Sequence, residues 1–287
     1  MTKALILGGR TGLLGQALMR TLAARGWEVS ALGREDGQVD DCAFLSECIG
    51  TTQPDVIFNT IAWTQVDAAE DQPDDALHWN RGLPDALARC IKGRPVHLVH
   101  YSTDFVFPGT GERPWTEDAP TRPLNAYGRT KLAGEQVLRQ LIPQQCCILR
   151  TAWLFGPGRR NFVSTMLELG RSRDVLHVVH DQVGSPTYSL DLAQWSAVLA
   201  ERRTAGLFHA VNGGRASWCE LASEAVALAG AHCRVEPIAS ADWPQKAVRP
   251  AFSVLDTSRL AAELGVPPRP WPQALRDYIF TELHPQT

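Results

Sequence analysis

Residues 4–15 read ALILGGRTGLLG, and this stretch decides the fold. Ala4–Leu7 is an apolar run with the length and composition of a buried strand. The run ends at the glycine pair 8–9, and from Leu13 to Ala24 apolar residues recur at helical spacing. The pattern predicts a strand, a tight glycine turn and a helix at the beginning of the chain.

The same alternation continues through the first half of the chain. Predicted strands lie at 29–32, 56–58, 96–100 and 146–149, and predicted helices lie at 74–91 and from the cap at 125 to about 141. This β-α-β-α order is typical of a parallel sheet with helices on both faces. The sequence therefore predicts the α/β class, with a doubly wound parallel sheet of the Rossmann type.

Composition narrows the range of functions. The chain has 287 residues with 28 Lys and Arg against 31 Asp and Glu, and no basic run accompanies the net charge of −3. This balance argues against nucleic acid or a membrane surface as a partner. No apolar run approaches the roughly 20 residues of a membrane span. The seven cysteines show no C-x-x-C spacing, which indicates reduced, mostly buried thiols in a cytoplasmic protein.

The glycine turn has the spacing of a dinucleotide-binding loop. Such a loop needs glycine because its backbone turns sharply and approaches a pyrophosphate, which the following helix N-terminus attracts. A purely structural turn is the alternative interpretation. The predicted cofactor-binding residues of the loop are Gly9, Arg10, Thr11, Gly12, Leu13, Leu14 and Gly15.

The second strand predicts which nicotinamide cofactor is bound. An acidic residue at the end of this strand would bind the adenosine ribose, but here the strand ends at Arg34. Together with Arg10, the planar guanidinium of Arg34 suits a 2′-phosphate. The sequence therefore favours NADPH, and NADH stays possible.

Tyr127 and Lys131 have the spacing of a catalytic pair. Residues four apart share one face of a helix, so an ammonium at Lys131 can lower the pKa of the Tyr127 phenol and bind the nicotinamide ribose. Thr103 follows the strand ending near Ser102, at the carboxyl edge where such sheets bind ligands. Its hydroxyl is predicted to hold a substrate carbonyl oxygen beside the tyrosine.

Two domains follow from this organisation. Residues 1–150 are predicted to form the NAD(P)-binding Rossmann domain, which also receives about 189–211. Residues 151–287 are predicted to form mainly a smaller C-terminal α/β domain that binds the substrate.

Longer motifs extend over nearly the whole chain. They are DVIFN at 55–59, VDAAE at 66–70, YSTDFVFPG at 101–109, PLNAYGRTKLAGE at 123–135, RTAW at 150–153, NF at 161–162, DQVGSPT at 181–187 and RP at 249–250. With these motifs the chain resembles the extended short-chain dehydrogenase/reductase family, and within it the dTDP-4-dehydrorhamnose reductase group.

The resemblance implies NADPH-dependent reduction of the C4 ketone of a nucleotide-linked 4-keto-6-deoxysugar, dTDP-4-dehydro-L-rhamnose in that group. Tyr127 would donate the proton, Lys131 would adjust the pKa of Tyr127 and bind the ribose, and Thr103 would hold the carbonyl. Further cofactor contacts implied are Asp40 and Asp41 on the adenine side, and Ala62, Trp63, Thr64 and Tyr101 on the nicotinamide side. Implied substrate contacts are Thr103, Asp104, Trp153, Asn161 and Arg249.

Departures from the group's pattern leave alternatives open. Trp63 stands where the group usually has His or Tyr, and Phe105 replaces a frequent Tyr, so another deoxysugar could be the substrate. A non-catalytic nucleotide-binding subunit is a third reading. Some members form a Mg²⁺-linked dimer through glutamates, but Ala17 and Leu190 occupy those neighbourhoods here. We therefore expect a monomer or a homodimer without a metal bridge.

Overall fold

The computed structural model describes residues 1–243 and 245–283. A six-stranded parallel sheet, ordered β10-β5-β4-β3-β1-β2, forms its centre. The strands, numbered along the chain, are β1 (Lys3–Leu7), β2 (Glu28–Leu32), β3 (Val56–Asn59), β4 (His97–Thr103), β5 (Cys146–Thr151), β6 (Leu154–Phe155), β7 (Val175–Val179), β8 (Val183–Gly184), β9 (Thr187–Tyr188), β10 (Gly206–His209), β11 (Ala216–Ser217) and β12 (Arg234–Ile238).

Helices cover both faces of this sheet, so the predicted doubly wound α/β fold is confirmed. They are α1 (Leu13–Ala24), α2 (Cys42–Thr52), α3 (Ala68–Asp71), α4 (Pro73–Leu77), α5 (Leu83–Ile91), α6 (Ala126–Leu141), α7 (Phe162–Gly170), α8 (Ser189–Glu201), α9 (Trp218–Leu228), α10 (Ser258–Leu264) and α11 (Trp271–Asp277). One core lies between the sheet and α1 with α8, and the other between the sheet and α2, α5 and α6.

The strand order creates one crevice. β1 lies between β2 and β3; from β1 the chain continues outward to β2, and from β3 it continues in the opposite direction to β4, so the connections after these two neighbouring strands diverge. Ligands of doubly wound sheets bind at such a switch point, outside the carboxyl ends of the strands. The glycine turn after β1 and the loop after β3 meet there.

The helix predicted over 74–91 is not one regular α-helix. A π-helical segment, His78–Gly82, separates α4 from α5. Pro84 stands in the first turn of α5 and has no N–H to donate to the preceding turn, so the regular ladder is interrupted there. The sequence pattern predicted helical spacing correctly but missed this change of pitch.

The C-terminal part is built from smaller sheets. β7 pairs with β12, β8 with β11, and β6 with β9. The helices α7, α9 and α11 pack an aromatic core against them. The segment 189–209 instead returns to the central sheet, where α8 packs on α1 and β10 pairs with β5. The division into domains remains a prediction.

Within residues 1–243 and 245–283, none of the helices combines the length and the apolar character that crossing a membrane requires.

Candidate active site

The glycine turn brings the start of α1 against the end of β1. A Cβ atom on Gly15 would lie 2.2 Å from the carbonyl oxygen of Gly8, so only glycine permits this approach. Gly12 is the N-cap of α1, without a side-chain cap and without an acidic residue in the first turn. The first amides of the 12-residue helix therefore face the crevice with their partial positive charge. This arrangement fits the pyrophosphate of a dinucleotide.

The two arginines predicted to bind a 2′-phosphate lie in different surroundings. The guanidinium of Arg10 pairs with Asp36 and Glu35 and donates to the carbonyl of Ala31 at 3.0 Å. Arg34 is exposed, and its guanidinium carbon lies 4.0 Å from the centre of a Trp79 ring. The acidic pairing of Arg10 was not foreseen; both arginines are exposed, and among the described residues Arg34 is the one without a carboxylate partner.

The acidic residues predicted on the adenine side already have partners. Asp41 caps α2 by accepting the backbone N–H of Phe44 at 2.9 Å, and Asp40 lies 2.7 Å from Nε2 of His78. Both carboxylates therefore hold the loop before α2 in place. An adenine contact would have to form while these hydrogen bonds are kept.

Thr103, Asp104 and Tyr127 meet where β4 ends. The hydroxyl of Thr103 donates to Oδ1 of Asp104 at 3.0 Å, and both side chains are buried. Tyr127 stands in the first turn of α6 and packs edge to face on Phe105, with ring centres 5.8 Å apart. A Cβ on Gly128 would lie 2.3 Å from the carbonyl oxygen of Phe105, so this glycine lets the helix start directly on the loop.

The pKa of Tyr127 moves in the opposite direction from the sequence prediction. Burial raises it to about 12; the facing hydroxyl of Thr103 lowers it and the carboxylate of Asp104 raises it further. Burial is the physical reason, and the Lys131 ammonium does not offset it, since its Nζ donates to the Tyr101 carbonyl at 2.6 Å. Tyr127 is therefore held protonated at neutral pH.

Lys131 and Asp104 both sit in surroundings that disfavour their charges. Burial lowers the pKa of Lys131 to about 8, against an opposing effect of Glu135. Burial raises the pKa of Asp104 to about 6, against the hydrogen bond that Thr103 donates to its Oδ1, while its Oδ2 is buried without a hydrogen-bond partner. Displaced pKa values of this kind concentrate at functional sites.

Tyr101 contributes its backbone to this site. Its hydroxyl donates to Oγ of Ser196 at 2.8 Å inside the core between the sheet and α8. The phenol thus points away from the crevice, and the carbonyl that binds Lys131 is the group of Tyr101 that faces the catalytic pair.

The predicted nicotinamide-side loop, residues 62–64, links the glycine turn to Tyr127. At its start, Thr60 donates to the Leu7 carbonyl at 2.6 Å beside the turn. Trp63 packs with Tyr127 around the same small apolar cluster. Sequence reasoning missed Asn80, which is buried and holds this loop: it accepts the N–H of Trp63 at 2.9 Å and donates to Thr130 at 2.9 Å.

A second missed feature is the buried ion pair behind Lys131. Arg150 on β5 donates from Nε and Nη2 to the two carboxylate oxygens of Glu135 at 2.8 and 2.7 Å. Ser102 donates to the same carboxylate at 2.5 Å. The motifs at 123–135 and 150–153 contain both partners, but their pairing depends on α6 packing on β5.

The predicted substrate contacts beyond Asp104 are held in distinct ways. Trp153 has a φ of 48° and stacks on Trp218 with ring centres 3.5 Å apart. Asn161 caps α7, and its amide nitrogen donates to Gly156 at 2.8 Å. Arg249 pairs with Asp67 at 2.8 Å, while its Nη1 is buried without a partner. Arg249 thus keeps a free donor, whereas the Asn161 side chain serves the helix.

Comparison with known proteins agrees with this geometry. The family model described as RmlD substrate binding domain matches residues 2–283. The chain is 41% identical to a dTDP-4-dehydrorhamnose reductase of Streptomyces griseus, over 95% of this chain and 91% of that protein. It is 38% identical to a dTDP-4-keto-6-deoxy-D-glucose reductase of Streptomyces niveus, over 96% of each. It superimposes with a TM-score of 0.93, at 30% identity, on a dTDP-4-dehydrorhamnose reductase from Bacillus anthracis str. Ames in complex with NADP, covering 97% of this chain and 99% of that one.

Proposed function

Since the chain belongs to the RmlD substrate-binding-domain family, we propose that it reduces the C4 ketone of dTDP-4-dehydro-L-rhamnose with NADPH. It is an oxidoreductase of nucleotide-linked 4-keto sugars that uses NADP. One observation carries the finer proposal: the loop 60–64 touches the glycine turn at one end and Tyr127 at the other. Cofactor and proton donor therefore share one crevice.

Each catalytic side chain has a separate task in this proposal. The bound nicotinamide supplies the hydride. When substrate binds, the Thr103 hydroxyl turns its one proton from Oδ1 of Asp104 to the ketone oxygen, and Tyr127 gives its proton to that oxygen as negative charge develops on it. A phenol with a pKa near 12 is still a stronger acid than the alcohol it forms, so the transfer is favourable. Lys131, fixed by the Tyr101 carbonyl, supplies positive charge beside the ribose.

The preference for NADPH over NADH is expected to depend on the loop that follows β2. The amides at the start of α1 would hold the pyrophosphate, and the exposed guanidinium of Arg34 would meet the 2′-phosphate. The Asp36 carboxylate accepts from Arg10 and from the N–H of Gly33 at 2.7 Å. This carboxylate lowers the positive charge available at Arg10, so the preference for NADPH over NADH is expected to rest on Arg34.

A second substrate is favoured by one specific observation. Phe105 packs on the Tyr127 ring and offers no hydroxyl where the reductase group often has a tyrosine. A sugar with different hydroxyl positions would lose less here than dTDP-4-dehydro-L-rhamnose. Reduction of another dTDP-linked 4-keto-6-deoxysugar is therefore the alternative, in keeping with the relative from Streptomyces niveus.

The test mixes the purified protein with NADPH and either dTDP-4-dehydro-L-rhamnose or dTDP-4-keto-6-deoxy-D-glucose, and follows the loss of NADPH absorbance. We expect faster oxidation with the rhamnose precursor. Faster oxidation with the second sugar would support the alternative substrate. Binding of NADPH without oxidation by either sugar would contradict both and favour a non-catalytic subunit.

A further inference from the structure

Two cysteines far apart in the sequence lie in contact on one side of the sheet. Cys42 is the first residue of α2 and Cys90 stands near the end of α5. Their Sγ atoms are 2.8 Å apart, although the residues are separated by 48 positions. The pair has no C-x-x-C spacing in the sequence, and Cys42 is an exception to the expected mostly buried thiols because it is exposed to solvent.

The two thiols differ in accessibility. Cys90 is buried; its Sγ lies 3.5 Å from the carbonyl oxygen of Cys42 and 3.5 Å from the hydroxyl of Ser46. Burial raises the pKa of the Cys90 thiol to about 11. A small oxidant in solution thus reaches Cys42 first, while Cys90 is in place to react with the product.

Other cysteines lack this arrangement. Cys146 and Cys147 are neighbours on β5, but successive residues of a strand face opposite sides, and the two lie in different cores. Cys48 lies on the same helix as Cys42, six residues further along. Among the residues that the structure describes, Cys42 and Cys90 form the pair with sulfur atoms in contact.

We propose that Cys42 and Cys90 are a redox modification site that closes to a reversible disulfide when a peroxide oxidises Cys42. The Cys42 thiolate attacks the peroxide O–O bond, forms a sulfenic acid and releases hydroxide. The sulfur of Cys90 then attacks the sulfenic sulfur, and the hydroxyl leaves as water. Two thiols lose two electrons and two protons, and one hydrogen peroxide becomes two waters.

The bond would fix one wall of the cofactor crevice. Cys42 directly follows Asp40 and Asp41, the residues predicted on the adenine side, and α2 already packs on α5 through the second core. A disulfide here would tie the start of α2 to the end of α5 and close a long loop of chain. Closing such a loop restricts the unfolded chain, so the oxidised protein should resist unfolding more than the reduced one.

The experiment treats the full chain with hydrogen peroxide or with dithiothreitol and counts free thiols after denaturation. We expect two of the seven thiols to disappear on oxidation, with a peptide joining Cys42 to Cys90 that dithiothreitol separates. The melting temperature should rise by about 5 °C. Cys42→Ser should abolish the joined peptide, whereas Cys48→Ser, on the same helix, should leave it intact.

Three outcomes would overturn the proposal. Seven free thiols after peroxide treatment would show that the pair does not close. A sulfinic acid on Cys42 without a joined peptide would show that Cys90 does not capture the first product. Loss of the joined peptide in Cys48→Ser would assign the bond to a different partner.

Discussion

Lys131 and Arg150 are two buried cations whose surroundings differ. Arg150 lies near the carboxyl end of β5, opposite Ser102 on β4, and binds both carboxylate oxygens of Glu135. Lys131 lies on α6 at the catalytic edge, and its hydrogen bond goes to a neutral carbonyl, that of Tyr101. Arg150 thus has a matched counter-ion, whereas burial lowers the pKa of Lys131 to about 8. Within the described part of the chain, Lys131 thus lacks a hydrogen-bonded counter-ion, whereas Arg150 has one and leaves only its Nη1 without a partner.

The same contrast holds for the two buried carboxylates. Glu135 accepts from Arg150 and Ser102, whereas Asp104 keeps one oxygen without a partner and has its pKa raised to about 6. Under the proposed function Asp104 binds substrate, and a group with that role cannot be fully satisfied by the protein itself. We infer that the buried polar groups of the site lower the free energy of unfolding and that packing elsewhere in the fold offsets this loss.

The largest stability effect is expected from breaking the matched pair. Glu135→Ala leaves the Arg150 guanidinium buried without its counter-ion, and such a loss costs about 3–5 kcal/mol. Chemical denaturation followed by circular dichroism should show this decrease in the free energy of unfolding.

The control is Glu168→Ala, which removes an exposed pair with Arg160. Exposed pairs contribute less than about 1 kcal/mol, so this variant should be nearly as stable as the wild type. Equal destabilisation by both substitutions would remove the distinction between buried and exposed pairs.

Removing the buried cation next to Tyr101 is expected to stabilise the protein, unlike Glu135→Ala. Lys131→Met removes a buried ammonium whose folded pKa, about 8, lies below the usual 10.5. At pH 7 the variant should gain up to about 3 kcal/mol in the free energy of unfolding while reduction is lost. The lost hydrogen bond to the Tyr101 carbonyl offsets part of this gain.

The gain should depend on pH. Between pH 8 and 10.5 the unfolded wild-type chain binds more protons at Lys131 than the folded chain, so the wild type becomes more stable as pH rises. The lead of Lys131→Met should therefore shrink over that interval. If Lys131→Met is less stable than the wild type at pH 7, then burial of the ammonium does not destabilise the folded protein.

The smallest expected effect is a change in cofactor preference on substituting Arg34, which lies outside both buried ion sites. Arg34→Asp replaces an exposed guanidinium that stacks on Trp79 with a carboxylate suited to a ribose hydroxyl. The ratio of kcat/KM for NADPH to that for NADH should fall by about tenfold or more, equivalent to about 1.4 kcal/mol. An unchanged ratio would remove Arg34 from the 2′-phosphate site and return attention to Arg10.

The order of strands and helices could be predicted because each depends on a short stretch of sequence. The apolar runs of β1, β3, β4 and β5 and the cap at Asn125 lie within a few residues of what they determine. The glycine turn was found for the same reason. The π-helical segment before Pro84 was missed because the spacing of apolar residues barely changes across it.

The electrostatics of the site could not be predicted in the same way. The i,i+4 spacing placed Tyr127 and Lys131 on one helix, but the acceptor of the ammonium comes from β4, 30 residues away. Asn80 was missed because its partners, Trp63 and Thr130, lie 17 and 50 residues from it. Directions of side chains and their burial depend on packing between elements, which a sequence pattern does not contain.

The central claim is that Tyr127 delivers the proton in the crevice it shares with the cofactor. The direct measurement compares Tyr127→Phe with wild type in steady-state reduction and in NADPH binding. We expect turnover to fall by about 100-fold or more with binding of NADPH retained, because the ring stays and the acid is removed. Turnover near the wild-type rate would contradict the account.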